Sequence, residues 1–75
     1  MENNLIMFSS VTLAMRANDL LNKNRIMCKV IRTPVNLRNR SCGYSVLVTN
    51  NFQFAMDLIS SNRIPVLGIA AVDIR

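Results

Sequence analysis

Among the residues of this chain whose type and spacing suit chemistry, Cys42 stands first, because it follows Arg38, Arg40 and Ser41 and precedes Gly43. Guanidinium groups close to a thiol favour the thiolate, which is the nucleophilic form. Gly43 opens backbone conformations closed to other residues and lets a partner approach closely. Tyr44 is placed to flank such a site. The same context also suits a small residue at a strand end with no task. Cys28 lies mid-strand on the parity of Ile26 and Val30 and reads as a buried small hydrophobe. No disulfide between the two is expected, since a hairpin joining their strands sets the sulfurs about four residue steps, or ~13 Å, apart.

A second candidate is the helix start at Ser9 and Ser10, whose free N–H groups and positive dipole end suit an anion. A plain capping serine explains the same residues. Other chemistry is poorly supplied. There is no His, which removes the usual general base and the commonest metal ligand. The four acids, Glu2, Asp19, Asp57 and Asp73, are scattered too widely to pair for acid/base work or to hold a metal. A carrier or binding module is therefore expected rather than an enzyme, with no metal and no cofactor.

The net charge of +5 favours anionic partners. Nucleic acid is not the expected one, because there is no Trp and only Phe8, Tyr44, Phe52 and Phe54 are available for stacking. Two of these, Phe52 and Phe54, fall in a helical pattern and read as core. Two cysteines and no secretory signal pattern point to a reduced, cytoplasmic setting. The longest apolar run, Ile64 to Val72, is about half of what a membrane helix needs, so no membrane segment is expected.

The elements that must position these residues follow from periodicity. Leu5 to Phe8 reads as a buried strand that runs into a serine cap. Leu13, Ala17, Leu20 and Leu21 then recur at i, i+4, i+7 and i+8 of an amphipathic helix ended by Asn22, Lys23, Asn24 and Arg25. Ile26, Cys28 and Val30 alternate with Met27, Lys29 and Ile31 as a second strand. From Thr33 to Cys42 a polar loop of roughly 8 to 10 residues is expected, long enough to suggest function. Gly43 opens a third strand, Tyr44 to Val48. Thr49, Asn50 and Asn51 form a turn and cap before a helix carrying Phe52, Ala55, Met56 and Ile59. Ile64 to Val72 is a last strand, with Pro65 suited to an edge.

The order β-α-β-β-α-β predicts an α/β (α+β) ferredoxin-like domain spanning 1–75, a four-stranded antiparallel sheet with two helices on one face. The opposite face would be bare. The first and last strands are apolar at both parities, so a second subunit is expected to cover that face as a homodimer.

Ser9 and Ser10 before the helix, Ala14 and the Leu20-Leu21 pair within it, Pro34, and above all Ser41-Cys42-Gly43 opening an apolar strand carry a resemblance. Over roughly Ile6 to Val66 the chain resembles the selenium/sulfur (Se/S) carrier-like family, a small domain also found fused behind a TusA-like sulfur-carrier domain. The resemblance implies a persulfide or selenenyl-sulfide held on Cys42 and passed on, with a cysteine desulfurase or a sulfur-carrier protein as partner. The strongly basic, asparagine-rich loop and Cys28 depart from the family pattern. The alternative reading is a non-catalytic module that recognises an anionic partner through Arg38, Arg40 and Lys29. A redox sensor acting through a mixed disulfide is a third.

Overall fold

The computed structural model describes residues 3–33 and 43–72, so Pro34, Arg38, Arg40, Ser41 and Cys42 lie outside the described residues. The element order is β1 (Leu5–Met7), α1 (Val11–Lys23), β2 (Cys28–Arg32), β3 (Tyr44–Val48), α2 (Phe52–Ser61) and β4 (Gly68–Ala70). The strands form one antiparallel sheet in the order β2-β3-β1-β4, with Leu5 opposite both Leu47 and Ala70, and Cys28 opposite Val48. This is the ferredoxin-like arrangement expected from the sequence.

Both helices stop in the same way, and the reason is a repeated tripeptide. Asn24-Arg25-Ile26 follows α1 and Asn62-Arg63-Ile64 follows α2. Each Asn side chain donates to a carbonyl four residues back, Leu20 O and Leu58 O, at 2.8 Å. Each Arg takes a left-handed backbone, φ 63° at Arg25 and 57° at Arg63. Each Ile then sends its N–H back to the helix, to Leu21 O at 3.0 Å and Ile59 O at 3.1 Å. These bonds make a Schellman ending, which here places arginine where glycine is commonest. Ile26 and Ile64 are both buried and close the motif against the core.

The helix-covered face of the sheet holds Ile6, Phe8, Val46 and Val48, packed with Ala14, Ala17 and Leu21 of α1 and Ala55 and Ile59 of α2. Phe54 faces away from this core and is 49% exposed, contrary to its reading as core. Met56 and Phe52 contribute partly buried surface instead.

The opposite face differs from its sequence-based expectation. Leu5, Met7 and Leu47 there are at most 5% exposed, with Ile31, Ala70 and Val72 packed against them, so this face is less bare at these positions than expected. Thr33 and Ser45 are fully buried too, and their hydroxyls satisfy one another at 2.6 Å. A buried hydroxyl left unpaired would be costly, which explains why the two occur together.

The final strand is shorter than the apolar run from Ile64 to Val72. Ile64 is spent on ending α2, and Pro65 has no N–H to give a ladder. Only Gly68–Ala70 pairs, at the sheet edge. Gly68 lies beneath Met7, whose Cε would come within 3.2 Å of any added Cβ.

Candidate functional site

The end of the sheet where β1 finishes and β3 begins gathers the predicted site residues that are described. Met7 is opposite Ser45, so the end of β1 that leads to Ser9 and Ser10 and the start of β3 that follows Gly43 share one end of the sheet. β2 ends there as well, since the Thr33 N–H donates to Gly43 O at 2.9 Å. Gly43 is therefore tied to the residue that follows β2 and directly precedes β3.

Gly43 has φ 96°, in the region where a side chain is strained, although a Cβ there would meet nothing within 4 Å. The need for glycine is thus a backbone need rather than a lack of room. Ser9 is exposed, while Ser10 is the N-cap of α1, its backbone extended and its Oγ accepting the Leu13 N–H at 3.2 Å. The capping account of Ser10 is realised in this bond. No acidic residue lies in the first turn of α1, so nothing there offsets the positive end of the helix dipole. Tyr44, 40% exposed, stands opposite Arg32 at the same sheet end.

Cys28 belongs to the other end of β2. Its side chain points to α1, as the parity of Ile26 and Val30 indicates, but it is only half-buried. The sulfur is 3.3 Å from Asn18 Oδ1, 3.6 Å from Asn22 Oδ1 and 3.7 Å from the Asn18 carbonyl oxygen. All three are acceptors, so a protonated thiol has somewhere to donate and a thiolate does not. Burial pushes the Cys28 thiol up from its ordinary value of 9.0. An open hollow of about 400 Å³ lies beside it, lined by Asn22, Met27, Lys29 and Thr49. Cys28 is thus more polar in its surroundings than a buried hydrophobe, through asparagines at i and i+4 of α1 that only the packing of α1 over β2 brings to it.

Among the described residues, no three His, Cys, Asp or Glu side chains are grouped to hold a metal, and no helix is long and apolar enough to cross a membrane. Of the predicted site residues, Ser9, Ser10 and Gly43 are described, while Cys42, Arg38 and Arg40 lie outside the described residues.

These features define a small ferredoxin-like α+β domain with a positive-φ glycine before β3 and a serine-capped first helix. Residues 3–71 match the family model described as "Putative Se/S carrier protein-like", and the chain belongs to that family. No curated protein and no solved structure matches it.

Proposed function

We propose that this protein carries sulfur or selenium on Cys42 as a persulfide or selenenyl-sulfide. The observation that carries the reading is the family match, which spans the Ser41-Cys42-Gly43 segment. Two structural features support it. Gly43, covalently joined to Cys42, precedes β3 at the end of the sheet where β1 leads into a 13-residue helix whose first turn has no acid to cancel its dipole. Helix N-termini and neighbouring cations, here Arg38 and Arg40, lower a thiol's pKa. Cys28, by contrast, is held as a thiol and is unsuited to the same task.

The exchange needs no general base. Cys42 thiolate attacks the outer sulfur of a donor persulfide, a new S–S bond forms, and the donor cysteine leaves as thiolate. Attack by an acceptor nucleophile on the outer sulfur reverses the connectivity and returns Cys42 as thiolate. The electron count on the protein is unchanged over the cycle. The donor or acceptor is a cysteine desulfurase or another sulfur-carrier protein.

Incubating the protein with a cysteine desulfurase and free cysteine, followed by intact-mass spectrometry, tests this. Wild type and Cys28→Ser should each gain one sulfur, and Cys42→Ser none. A wild type that stays unmodified counts against carriage. The binding-module reading would then stand, with Cys42→Ser silent and charge reversal at Arg38 and Arg40 weakening an anionic partner.

A further inference from the structure

We infer that the outer edge of β2 is a docking site for an extended acidic segment of a partner protein, which joins the sheet as an added strand. This goes beyond the thiol reading and does not depend on it.

The backbone register decides which groups of β2 are available. Thr33 N–H bonds to Gly43 O, and Thr49 N–H bonds to Met27 O, both at 2.9 Å. In an antiparallel pair the bonded residues alternate, so Lys29 and Ile31 also bond towards β3. Cys28, Val30 and Arg32 consequently turn their N–H and C=O groups outward. Among the described residues no strand lies beyond them.

The opposite edge is a weaker template. Val48 N–H bonds to Asn4 O, which marks the even-numbered residues of β1 as facing β3. Asn4 N–H bonds to Ala70 O and Leu67 N–H to Met7 O, so β1 takes up groups at both ends of β4, which is only three residues long. An added strand finds a longer run of bonding sites on the five-residue β2 than on β4.

Charge says what occupies the edge. Lys29 and Arg32 are exposed on β2, and Arg25 precedes it. On α1, Val11 and Met15 share the i, i+4, i+7, i+11 flank with Asn18 and Asn22, whose side chains reach Cys28 over β2. Val11 is 41% and Met15 57% exposed, so apolar surface borders the cationic strand. Asp19 lies instead in a hollow with Arg16, Lys23 and Asn62, towards the end of α2. A second copy is a poor occupant, because it would set Lys29 and Arg32 against their own like and bring another +5. Edge lysines are a common guard against such self-pairing. Lys29 lies on the face away from the helices, with Ile31, whereas Arg32 shares the helix face with Cys28 and Val30. A strand with acidic residues on the Lys29 face and apolar residues towards the α1 flank satisfies the backbone, Lys29 and that flank together, and an acid at its end meets Arg32.

The test uses the wild-type chain and an acetylated, amidated heptapeptide, Glu-Val-Glu-Val-Glu-Val-Glu, with amide hydrogen exchange read by NMR. Slowed exchange is expected at Cys28, Val30 and Arg32, with little change at Lys29 and Ile31. A Lys29→Glu/Arg32→Glu double variant should bind at least tenfold more weakly, and so should the same peptide N-methylated at alternate positions. Absence of binding, binding that leaves those outward amides unprotected, or retained affinity in the double variant or with the methylated peptide would overturn the proposal. So would concentration-dependent protection of the same amides without peptide, which would assign the edge to a second copy.

Discussion

The two β-α units of this fold end alike and begin differently. After α1 and after α2 the chain uses the same Asn-Arg-Ile stop, bond for bond. At the start, α1 is capped by Ser10 through its hydroxyl, whereas Asn51 before α2 sits at φ 52° with no side-chain cap bond. The starts fall at opposite ends of the sheet, because β1 and β3 run antiparallel. Around the start of α2 the polar side chains are consumed in fastening. Asn50 Oδ1 accepts the Met27 N–H at 2.9 Å, Thr49 Oγ1 donates to Met27 O at 3.0 Å, and Asn4 clasps Val72 by bonds of 2.8 Å in both directions. Around the start of α1, Ser9 is exposed and Gly43 holds a left-handed bend. The stops make the fold, and the difference between the starts separates a fastened end from the end where the Cys42 segment joins.

The comparison can be broken hardest through the core beneath it. Phe8, fully buried where β1 turns towards α1, should cost about 3–5 kcal/mol on Phe8→Ala, against a smaller loss for the half-buried Phe52 at the start of α2. Urea unfolding would measure both, and equal losses would dissolve the distinction. The caps should respond with opposite signs. Ser10→Ala loses the Leu13 bond and about 1 kcal/mol, while Asn51→Gly relieves a left-handed residue and should stabilise. For the shared stops, Arg25→Gly and Arg63→Gly should each raise stability by roughly 1 kcal/mol, and by similar amounts if the two motifs are equivalent.

The smallest effect concerns pH. The folded protein prefers the Cys28 thiol more than the unfolded chain does, so this contribution is whole below 9.0, where both states keep the proton. It is lost as pH rises through the raised folded value. Cys28→Ser should flatten that decline in a thermal melt series, and an unchanged slope would remove Cys28 as its cause.

How legible all this was in the sequence depended on which physical signal each residue gave. Tyr44–Val48 could be bounded because Gly43 and Thr49-Asn50-Asn51 flank an apolar run broken only by Ser45. Ile64 to Val72 looked just as continuous, yet the stop after α2 claimed its first residue and Pro65 ended any ladder there. The Schellman endings were hidden because arginine, not glycine, occupies the left-handed position. The repeated Asn-Arg-Ile was the visible clue. Double-sided apolarity in β1 correctly implied burial of both its faces, Ile6 with the helices and Leu5 and Met7 on the other side. At the site, Gly43 and Ser10 were readable from backbone and capping chemistry. The asparagine oxygens around Cys28 were not, because only the packing of α1 over β2 brings them to the sulfur.

The place of β1 in the sheet has a consequence for biosynthesis. Leu5–Met7 is synthesised before both of its neighbours in the sheet, Ser45–Leu47 and Gly68–Ala70. An apolar triplet that must wait for such distant partners stays sticky during translation, and the sheet closes only as a late event.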